Sequence, residues 1–536
     1  MRTPALLGAG RGRGMAVIAG LALLQGAAAA AAAFATRSLF GLMHEGGPIS
    51  AAAGPLAILI GAGLVIAAAG VAFRWLGERL GQSYALDIRE ALFAHAASMS
   101  ARDVDVRRAG YMSLRFVGDM AALKDWPALG LPRLIAAAAI LPSTVAALWL
   151  LHPPFGALGF VVFALAALLV FLAGRALPDL HLKARKRRAR LAADMAERMP
   201  MAPDLGRLGR RKTETALLRR RGGDMIDAAL ILVRRREGLA ALSDAAAGFA
   251  AAGVVWITLT GDATPATAAA GLAALGLGLT ALRELATVAD IRAGFLAARQ
   301  KCEAALARAT RAAEKKGGLS LPTGPLAVAL EDVSIGPVEG LSAEVEAGCA
   351  ARLAGGAGAG KSLVLSVLAG RDAAEAGEAR IGGRPVDGLS PAAVAARVAL
   401  IREDAPLLRG SFRRALTLGL PERPSDEATT EAARAFGLAR LLIRLGGLDG
   451  SIQEGGRDLS SGERLRIALA RAALQKPDLI LFDETPSDLA AALLARFDET
   501  APPTVIFAER GPDDAPLGLE PVQSPWAAAA SSIHSR

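Results

Sequence analysis

Two acidic residues, Asp483 and Glu484, directly follow an apolar stretch of this sequence. The stretch Leu479–Phe482 predicts a buried strand, and an acid pair at a strand tip can hold a metal ion and activate a water molecule. Upstream, residues 459–463 read LSSGE and precede a helical pattern. The free N–H groups and the dipole at a helix start favour a bound anion. A phosphate at one end and a metal at the other indicate a nucleotide-handling protein.

A glycine-rich segment has the spacing of a phosphate-binding loop. It fits G-x-x-x-x-G-K-[ST], and it lies between a predicted strand, Cys349–Leu353, and a predicted helix, Leu363–Ala369. The glycines let the backbone wrap a polyphosphate, Lys361 reaches the β- and γ-phosphates, and Ser362 offers its hydroxyl to Mg²⁺. This context favours a phosphate loop over a chance turn in a chain with 59 glycines. Its eight residues are Gly355, Gly356, Ala357, Gly358, Ala359, Gly360, Lys361 and Ser362.

The composition is that of a membrane protein rather than a nucleic-acid-binding one. The chain has 536 residues, is 53% hydrophobic and carries a net charge of +10. Its arginines are concentrated in loops beside apolar runs, which fits membrane topology. Aromatic residues make up only 4%, which leaves little material for stacking on bases. We therefore expect no nucleic-acid partner, and a soluble nucleic-acid-handling ATPase is disfavoured.

Six apolar runs have the length of membrane-spanning helices, about 20 residues each. They lie near Gly14–Thr36, Ala51–Phe73, Leu134–Leu151, Phe155–Gly174, Leu239–Thr260 and Pro265–Leu285. The first could be a signal peptide, because Arg11 and Arg13 precede it. Its length and the five runs that follow favour an uncleaved helix.

Charge asymmetry predicts how these helices are oriented. The loops between the second and third runs and between the fourth and fifth are long and rich in arginine, whereas the opposite loops are short and poor in it. The positive-inside bias places both termini in the cytoplasm, in a lipid bilayer that we expect to be a bacterial inner membrane. Gly77–Ser98 and Lys186–Met199 keep helical spacing, which predicts that membrane helices continue into the cytoplasm.

Gly and Pro clusters divide the chain into domains. The sequence predicts an all-α transmembrane domain of six helices over residues 1–312, a linker over 313–324, and an α/β P-loop ATPase domain over 325–516, with a tail over 517–536. Within the ATPase domain, Leu326–Val333 and Leu341–Val345 are predicted strands.

The motifs LSSGE, R-x-R-I-A-L-A-R-A and LILFDE together resemble the signature and Walker B segments of ATP-binding cassette (ABC) proteins. With six preceding apolar runs, the chain resembles an ABC exporter half-transporter, and residues 81–100 resemble the loop that forms the first coupling helix of such exporters. The resemblance implies a dimer with two ATP molecules, each held between the phosphate loop of one chain and the signature of the other. It also implies coupling helices, which we place within Met112–Trp126 and Asp204–Arg221.

The resemblance assigns roles to single residues. Lys361 would bind phosphate, Ser362 and Asp483 would hold Mg²⁺, and Glu484 would be the general base. The signature residues that would act on the partner's ATP are Leu459, Ser460, Ser461, Gly462 and Glu463.

Three positions depart from the family pattern. No aromatic residue occurs from Pro325 to Ser411, where a stacker for adenine is expected, and losing such stacking weakens binding roughly ten- to hundredfold. Glu403 stands where a metal-sensing Gln is expected. Glu509 stands where a histidine that contacts the γ-phosphate is expected, and an ionised carboxylate about 4 Å from it would be repelled by about 4 kcal/mol per unit charge at an effective dielectric of about 20.

The departures predict an impaired site on this chain's own phosphate loop beside a serviceable signature. We therefore expect an exporter subunit that works in a heterodimer with a second half-transporter, with a homodimer as the other possibility. The alternative function is a regulatory membrane subunit that binds ATP without turnover.

Overall fold

The computed structural model describes residues 3–6, 8, 10–45, 48–105, 120–307, 319–405, 407–498, 500–511 and 517–522. It divides into two compact units. The first, within residues 1–97 and 107–308, is helical, and the second, within residues 98–106 and 309–536, contains the β-sheets. The first half of the predicted linker, residues 313–318, lies outside the described residues.

The helical unit consists of long helices joined by short turns. Its helices are α1 (Arg11–Glu45), α2 (Ala53–Ala97), α4 (Met120–Asp125), α5 (Leu131–Leu151), α6 (Pro153–Gly174), α7 (Leu177–Arg198), α8 (Ala202–Arg207), α9 (Arg211–Thr260) and α10 (Pro265–Leu306), with a 3-10 turn at Ile49–Ala52 and a π-helical turn at Trp126–Gly130. The short helix α3 (Ala101–Asp105) belongs to the second unit.

Six helical segments of the described residues are long and apolar enough to cross a membrane, which confirms the six predicted runs. Helix α2 has 45 residues and α9 has 50. At 1.5 Å per residue they are about 68 and 75 Å long, far more than a hydrocarbon core of about 30 Å. Helix α2 therefore extends beyond its apolar run, as predicted, and α9 does so without having been predicted to.

The fourth apolar run ends differently from the prediction. Helix α6 stops at Gly174 and a separate helix, α7, begins at Leu177, so Lys186–Met199 does not continue the membrane helix. Pro178 lies in the first turn of α7. A proline there cannot donate the hydrogen bond that would continue the preceding helix, which explains the break.

The segments predicted as coupling helices are described only in part. Residues 112–119 lie outside the described residues. Met120, Leu123 and Trp126 are buried in the helical unit's own core, against Tyr84 and Phe295. Residues 204–221 form the end of α8 and the start of α9. The short helix that packs on the sheet unit is α3, because Ala101 N–H donates to the carbonyl of Arg371.

The second unit has two main sheets. Its strands are β1 (Val328–Ile335), β2 (Val338–Val345), β3 (Ala350–Gly355), β4 (Ala376–Ile381), β5 (Arg384–Pro385), β6 (Val398–Ile401), β7 (Gly410–Ser411), β8 (Ser451–Ile452), β9 (Leu479–Asp483), β10 (Thr504–Arg510) and β11 (Gly518–Val522). Its helices after α3 are α11 (Lys361–Leu368), α12 (Pro391–Arg397), α13 (Phe412–Thr417), α14 (Asp426–Ala435), α15 (Ala439–Leu445), α16 (Ser461–Gln475) and α17 (Ser487–Leu494).

The strand order is β2-β1-β4-β5 in one sheet and β11-β3-β10-β9-β6 in the other. Strands β3, β10, β9 and β6 are parallel, and β11 pairs antiparallel to β3. The sheet therefore continues past residue 516, into the segment predicted to be a tail. Residues 479–482 of β9 are all buried, because a central parallel strand is covered on both faces. This arrangement brings the ends of β3, β9 and β10 together.

Candidate nucleotide-binding site

The phosphate loop connects β3 to α11. Gly358 and Gly360 have φ angles of 78° and 91°, a left-handed backbone that favours glycine. The Lys361 Nζ donates to the carbonyls of Gly355 and Gly356, at 2.8 and 2.9 Å. Lys361 is only 6% exposed. The loop therefore wraps around the ammonium group, which lies where a bound polyphosphate would meet it.

The two predicted metal ligands are in contact. Ser362 Oγ donates to Asp483 Oδ1 at 2.9 Å, although the two residues are 121 positions apart. Burial raises the pKa of the Asp483 carboxyl, while the bond from Ser362 opposes that rise. Among the described residues, no group of three or more His, Cys, Asp or Glu side chains could hold a metal. Mg²⁺ commonly binds through one or two protein oxygens together with substrate phosphates, and Ser362 and Asp483 offer two such oxygens.

Glu484 lies immediately beyond this pair. It has a φ of 47°, and its N–H donates to the carbonyl of Ala508 on β10. Its side chain is exposed, in contrast to the half-buried Asp483. The left-handed backbone ends β9 abruptly, so the two neighbouring acids occupy different environments, one against the phosphate loop and one open to solvent.

The segment after β6 brings a cation to the metal position. Glu403 is exposed in the turn that follows Ile401. Its neighbour Arg402 reaches towards the metal position, with its Nε 3.9 Å from Asp483 Oδ2. A cation beside the Asp483 carboxylate favours its ionised form. Sequence reasoning did not single out Arg402, and the metal-sensing role of Glu403 stays a prediction.

Glu509 lies near the end of β10, in register with Ala354 of β3. Its carboxylate is 3.6 Å from an Arg352 guanidinium nitrogen, and the same guanidinium also binds Glu520 of β11 at 2.7 Å. The predicted repulsion of a γ-phosphate by Glu509 is therefore reduced by an adjacent cation. Sequence reasoning missed this partner because Arg352 and Glu509 are far apart in the chain.

The position of the missing aromatic is the turn between β1 and β2. Gly336 has a φ of 58°, and its N–H donates to Glu375 Oε1 at 3.4 Å. Arg102 of α3 donates to the same oxygen at 2.7 Å. Sequence reasoning did not single out Arg102, because it belongs to none of the motifs.

The signature segment forms the start of α16, and its contacts are local. Ser460 caps the helix by accepting from the Glu463 N–H, and the Glu463 carboxylate accepts from the Ser460 N–H at 2.8 Å. Arg444 of α15 pairs with Glu463 at 3.1 Å. Ser460, Ser461 and Gly462 are exposed. The helix start is therefore rigidly capped and open on its outer side.

Comparison with known families decides between the candidate classes. One family model, the ABC transporter transmembrane region, matches residues 15–199, and a second, the ABC transporter, matches residues 338–487. The chain belongs to the ABC transporter family. Its transmembrane region and its cassette are fused in one polypeptide, the arrangement of a half-transporter.

The relatives differ in how much of the chain they match. The ABC transporter ATP-binding protein RamB of Streptomyces coelicolor is 39% identical over 145 residues, 27% of this chain and 23% of that protein. The glutathione/L-cysteine transport system protein CydC of Escherichia coli is 36% identical over 154 residues, so the chain spans about a quarter of the length of each of these two relatives. The ATP-dependent lipid A-core flippase of Desulfotalea psychrophila is 22% identical over 421 residues, 77% of this chain and 74% of that protein.

A solved structure of a bacterial Atm1-family ABC exporter with ATP bound matches over 99% of both chains, with a TM-score of 0.80 at 19% identity. This likeness shows that the ABC half-transporter has an exporter-type fold, as predicted, with a helical membrane domain followed by an α/β cassette.

Proposed function

We propose that this half-transporter is the ATP-binding and permease subunit of an ABC exporter, which couples ATP binding and hydrolysis to efflux of a substrate. The observation that carries the proposal is the contact between Ser362 and Asp483 in a chain that also has six membrane-length helices. A phosphate loop joined to a strand-end carboxylate suits nucleotide hydrolysis. The name of the lipid A-core flippase, which matches both regions, supports ATP-driven movement across a membrane.

The proposal gives each site residue a role. Lys361 and the backbone of residues 355–360 bind the phosphates of ATP, and Ser362 and Asp483 would hold Mg²⁺. The ion neutralises phosphate charge when it is bound. Glu484 accepts the proton of the attacking water, and its exposure keeps it accessible to that water. Glu403 occupies the metal-sensing position of the proposed site, where it is exposed.

The signature Leu459–Glu463 acts on the ATP of a second chain. Its capped, exposed helix start presents N–H groups to an anion from outside the cassette. Two copies of this chain would form two sites that both lack the aromatic residue for adenine and the histidine. We therefore propose a heterodimer with a second half-transporter in a bacterial inner membrane, with both termini in the cytoplasm.

A second candidate function is a regulatory subunit that binds ATP without turnover. The observation in its favour is Glu509, which is held by Arg352 at the strand end where the family has a histidine. In this second function the Glu509 carboxylate slows hydrolysis, whereas Lys361 still binds the phosphates. Nucleotide binding and nucleotide turnover are thus separable in this chain.

The test begins with the composition of the complex. The tagged chain is purified from its native membranes, and the intact assembly is weighed by mass spectrometry. We expect this chain together with one second half-transporter, and a mass of two copies of this chain contradicts the heterodimer. The ATPase rate of the assembly is then compared with that of an assembly carrying Lys361→Ala. A complex that neither binds nor hydrolyses ATP contradicts both candidate functions.

A further inference from the structure

The turn between β1 and β2 lies against the phosphate loop. A Cβ added to Gly360 would come within 2.5 Å of Val338 and within 3.2 Å of Pro337. A Cβ added to Gly336 would come within 3.1 Å of Leu363, in the first turn of α11. The turn therefore forms a wall beside the position of the phosphates. The resemblance to ABC proteins implies that the adenine of a nucleotide bound by the loop lies beside this turn.

The side chain of Arg102 reaches this wall. Its guanidinium carbon and one of its nitrogens lie within 3.7 Å of the position that a Gly336 Cβ would occupy. The guanidinium is fixed by Glu375 at 2.7 Å, and Glu375 is itself bonded to the Gly336 N–H. The Arg102 side chain is nevertheless 45% exposed, so part of the planar group remains open to a ligand.

The backbone of Arg102 is anchored to the helix that follows the phosphate loop. The Arg102 N–H donates to Asp372 Oδ1 at 3.0 Å. Asp372 is 4% exposed, and its other oxygen accepts from the Ser366 hydroxyl of α11 at 2.5 Å. Arg102 is thus held from two sides, through its main chain to α11 and through its side chain to the β1–β2 turn.

We propose that the Arg102 guanidinium binds the face of the purine base of the nucleotide held by this chain's phosphate loop. It takes the place of the aromatic side chain that residues 325–411 lack. A guanidinium is planar and weakly hydrated, and it stacks on aromatic faces as well as attracting their π-electrons. The ion pair with Glu375 sets its plane in advance. This inference rests on the proposed function, since it requires the loop to bind ATP.

The proposal separates binding of the base from binding of the phosphates. The full-length protein in lipid nanodiscs is titrated with Mg-ATP and with magnesium tripolyphosphate, which has the phosphates but no base. Arg102→Ala should weaken ATP binding roughly three- to thirtyfold and leave tripolyphosphate binding unchanged. Arg102→Lys keeps the charge but loses the planar group, so it should also weaken ATP binding. The matched control is Arg380→Ala, which removes a similarly exposed arginine of β4 that pairs with Glu378 and with Glu331 of β1.

Each outcome has a distinct meaning. If Arg102→Ala weakens the binding of ATP and of tripolyphosphate equally, the assignment of Arg102 to the base is wrong. It is also wrong if neither Arg102 variant weakens ATP binding. Thermal unfolding of each variant shows whether the protein is intact. If the wild-type protein does not bind ATP, or if Lys361→Ala binds it normally, the proposed function fails, whatever the Arg102 variants do.

Discussion

The phosphate loop and the signature segment lie in the same cassette, yet they are assembled in different ways. The loop's surroundings come from distant parts of the chain, with Asp483 on β9, Glu509 on β10 and Arg102 on α3. The signature is contiguous, and its capping contacts join Ser460 to Glu463 three residues later.

This difference bears on the unequal condition that the sequence predicts for the two regions. A site built from many segments can lose one contributor while the others remain in place. The predicted departures fall on the base and γ-phosphate positions, whereas Lys361, Ser362 and Asp483 match the expected motifs. A site built from one capped turn is kept or lost as a unit, and LSSGE is complete.

The largest expected effect comes from Lys361 of the phosphate loop. Lys361→Ala removes a buried cation whose charged hydrogen bonds are worth about 1.5–3 kcal/mol each, so ATP affinity should fall roughly a hundredfold. Equilibrium titration of the purified chain with Mg-ATP measures this. Lys186→Ala, an exposed lysine of α7, is the control. A fall of less than twofold in the Lys361 variant would show that the loop does not bind nucleotide.

A substitution at Glu509, beside the phosphate loop, should have a smaller effect and should raise activity instead of lowering it. Glu509→His removes a carboxylate from the γ-phosphate side and restores the residue type of the family. We expect the ATPase rate of the purified chain alone to rise roughly three- to tenfold, because Arg352 already offsets part of the repulsion.

Glu520→His is the matched control, since Glu520 is the other carboxylate bound to Arg352. An equal rise in both variants would mean that freeing Arg352, and not removing Glu509, speeds the reaction. An unchanged rate in Glu509→His would remove Glu509 as a cause of slow turnover.

The parts of the structure that follow from local patterns were predictable. Apolar runs gave the six spans, and glycine spacing placed Lys361 and Ser362 next to a strand end. The break before Leu177 and the position of α3 depend on contacts made after folding. Arg102 meets Glu375 across 273 residues, and such a pair leaves no periodic signal in the sequence. The roles of the site residues stay predictions until they are tested.

The smallest expected effect is on the local opening of the signature segment at the start of α16. Glu463→Ala removes half of the capping box and should lower the local opening free energy of the first turn of α16 by about 0.5–1 kcal/mol. Hydrogen exchange of residues 460–466 should therefore become about two- to fivefold faster. Glu431→Ala, an exposed acid of α14 paired with Arg496, is the control and should leave this segment unchanged.

The effect of Glu463 should depend on pH. Partial burial opposes its ionisation, but hydrogen bonds from Ser460 and the charge of Arg444 hold its pKa below the ordinary value of 4.5. A depressed pKa means that the stabilisation is present above 4.5 and is lost as pH falls through the lower folded-state value. The difference between wild type and Glu463→Ala should thus persist at pH 5 and shrink below pH 4.5. A difference that shrinks already between pH 7 and 5 would contradict this account.

The central claim is that the signature of this chain supports turnover at the partner's site, while this chain's own phosphate loop contributes little. The most direct test is the ATPase rate of the complex with its second half-transporter. The rate is measured with Ser460→Arg and with Glu484→Gln in this chain. Ser460→Arg should abolish turnover at the partner's site, because a long side chain then fills the anion position of the signature. Glu484→Gln should leave the rate nearly unchanged, since this chain's own site contributes little. If Glu484→Gln abolishes turnover while Ser460→Arg does not, this chain's own site is the active one and the account is contradicted.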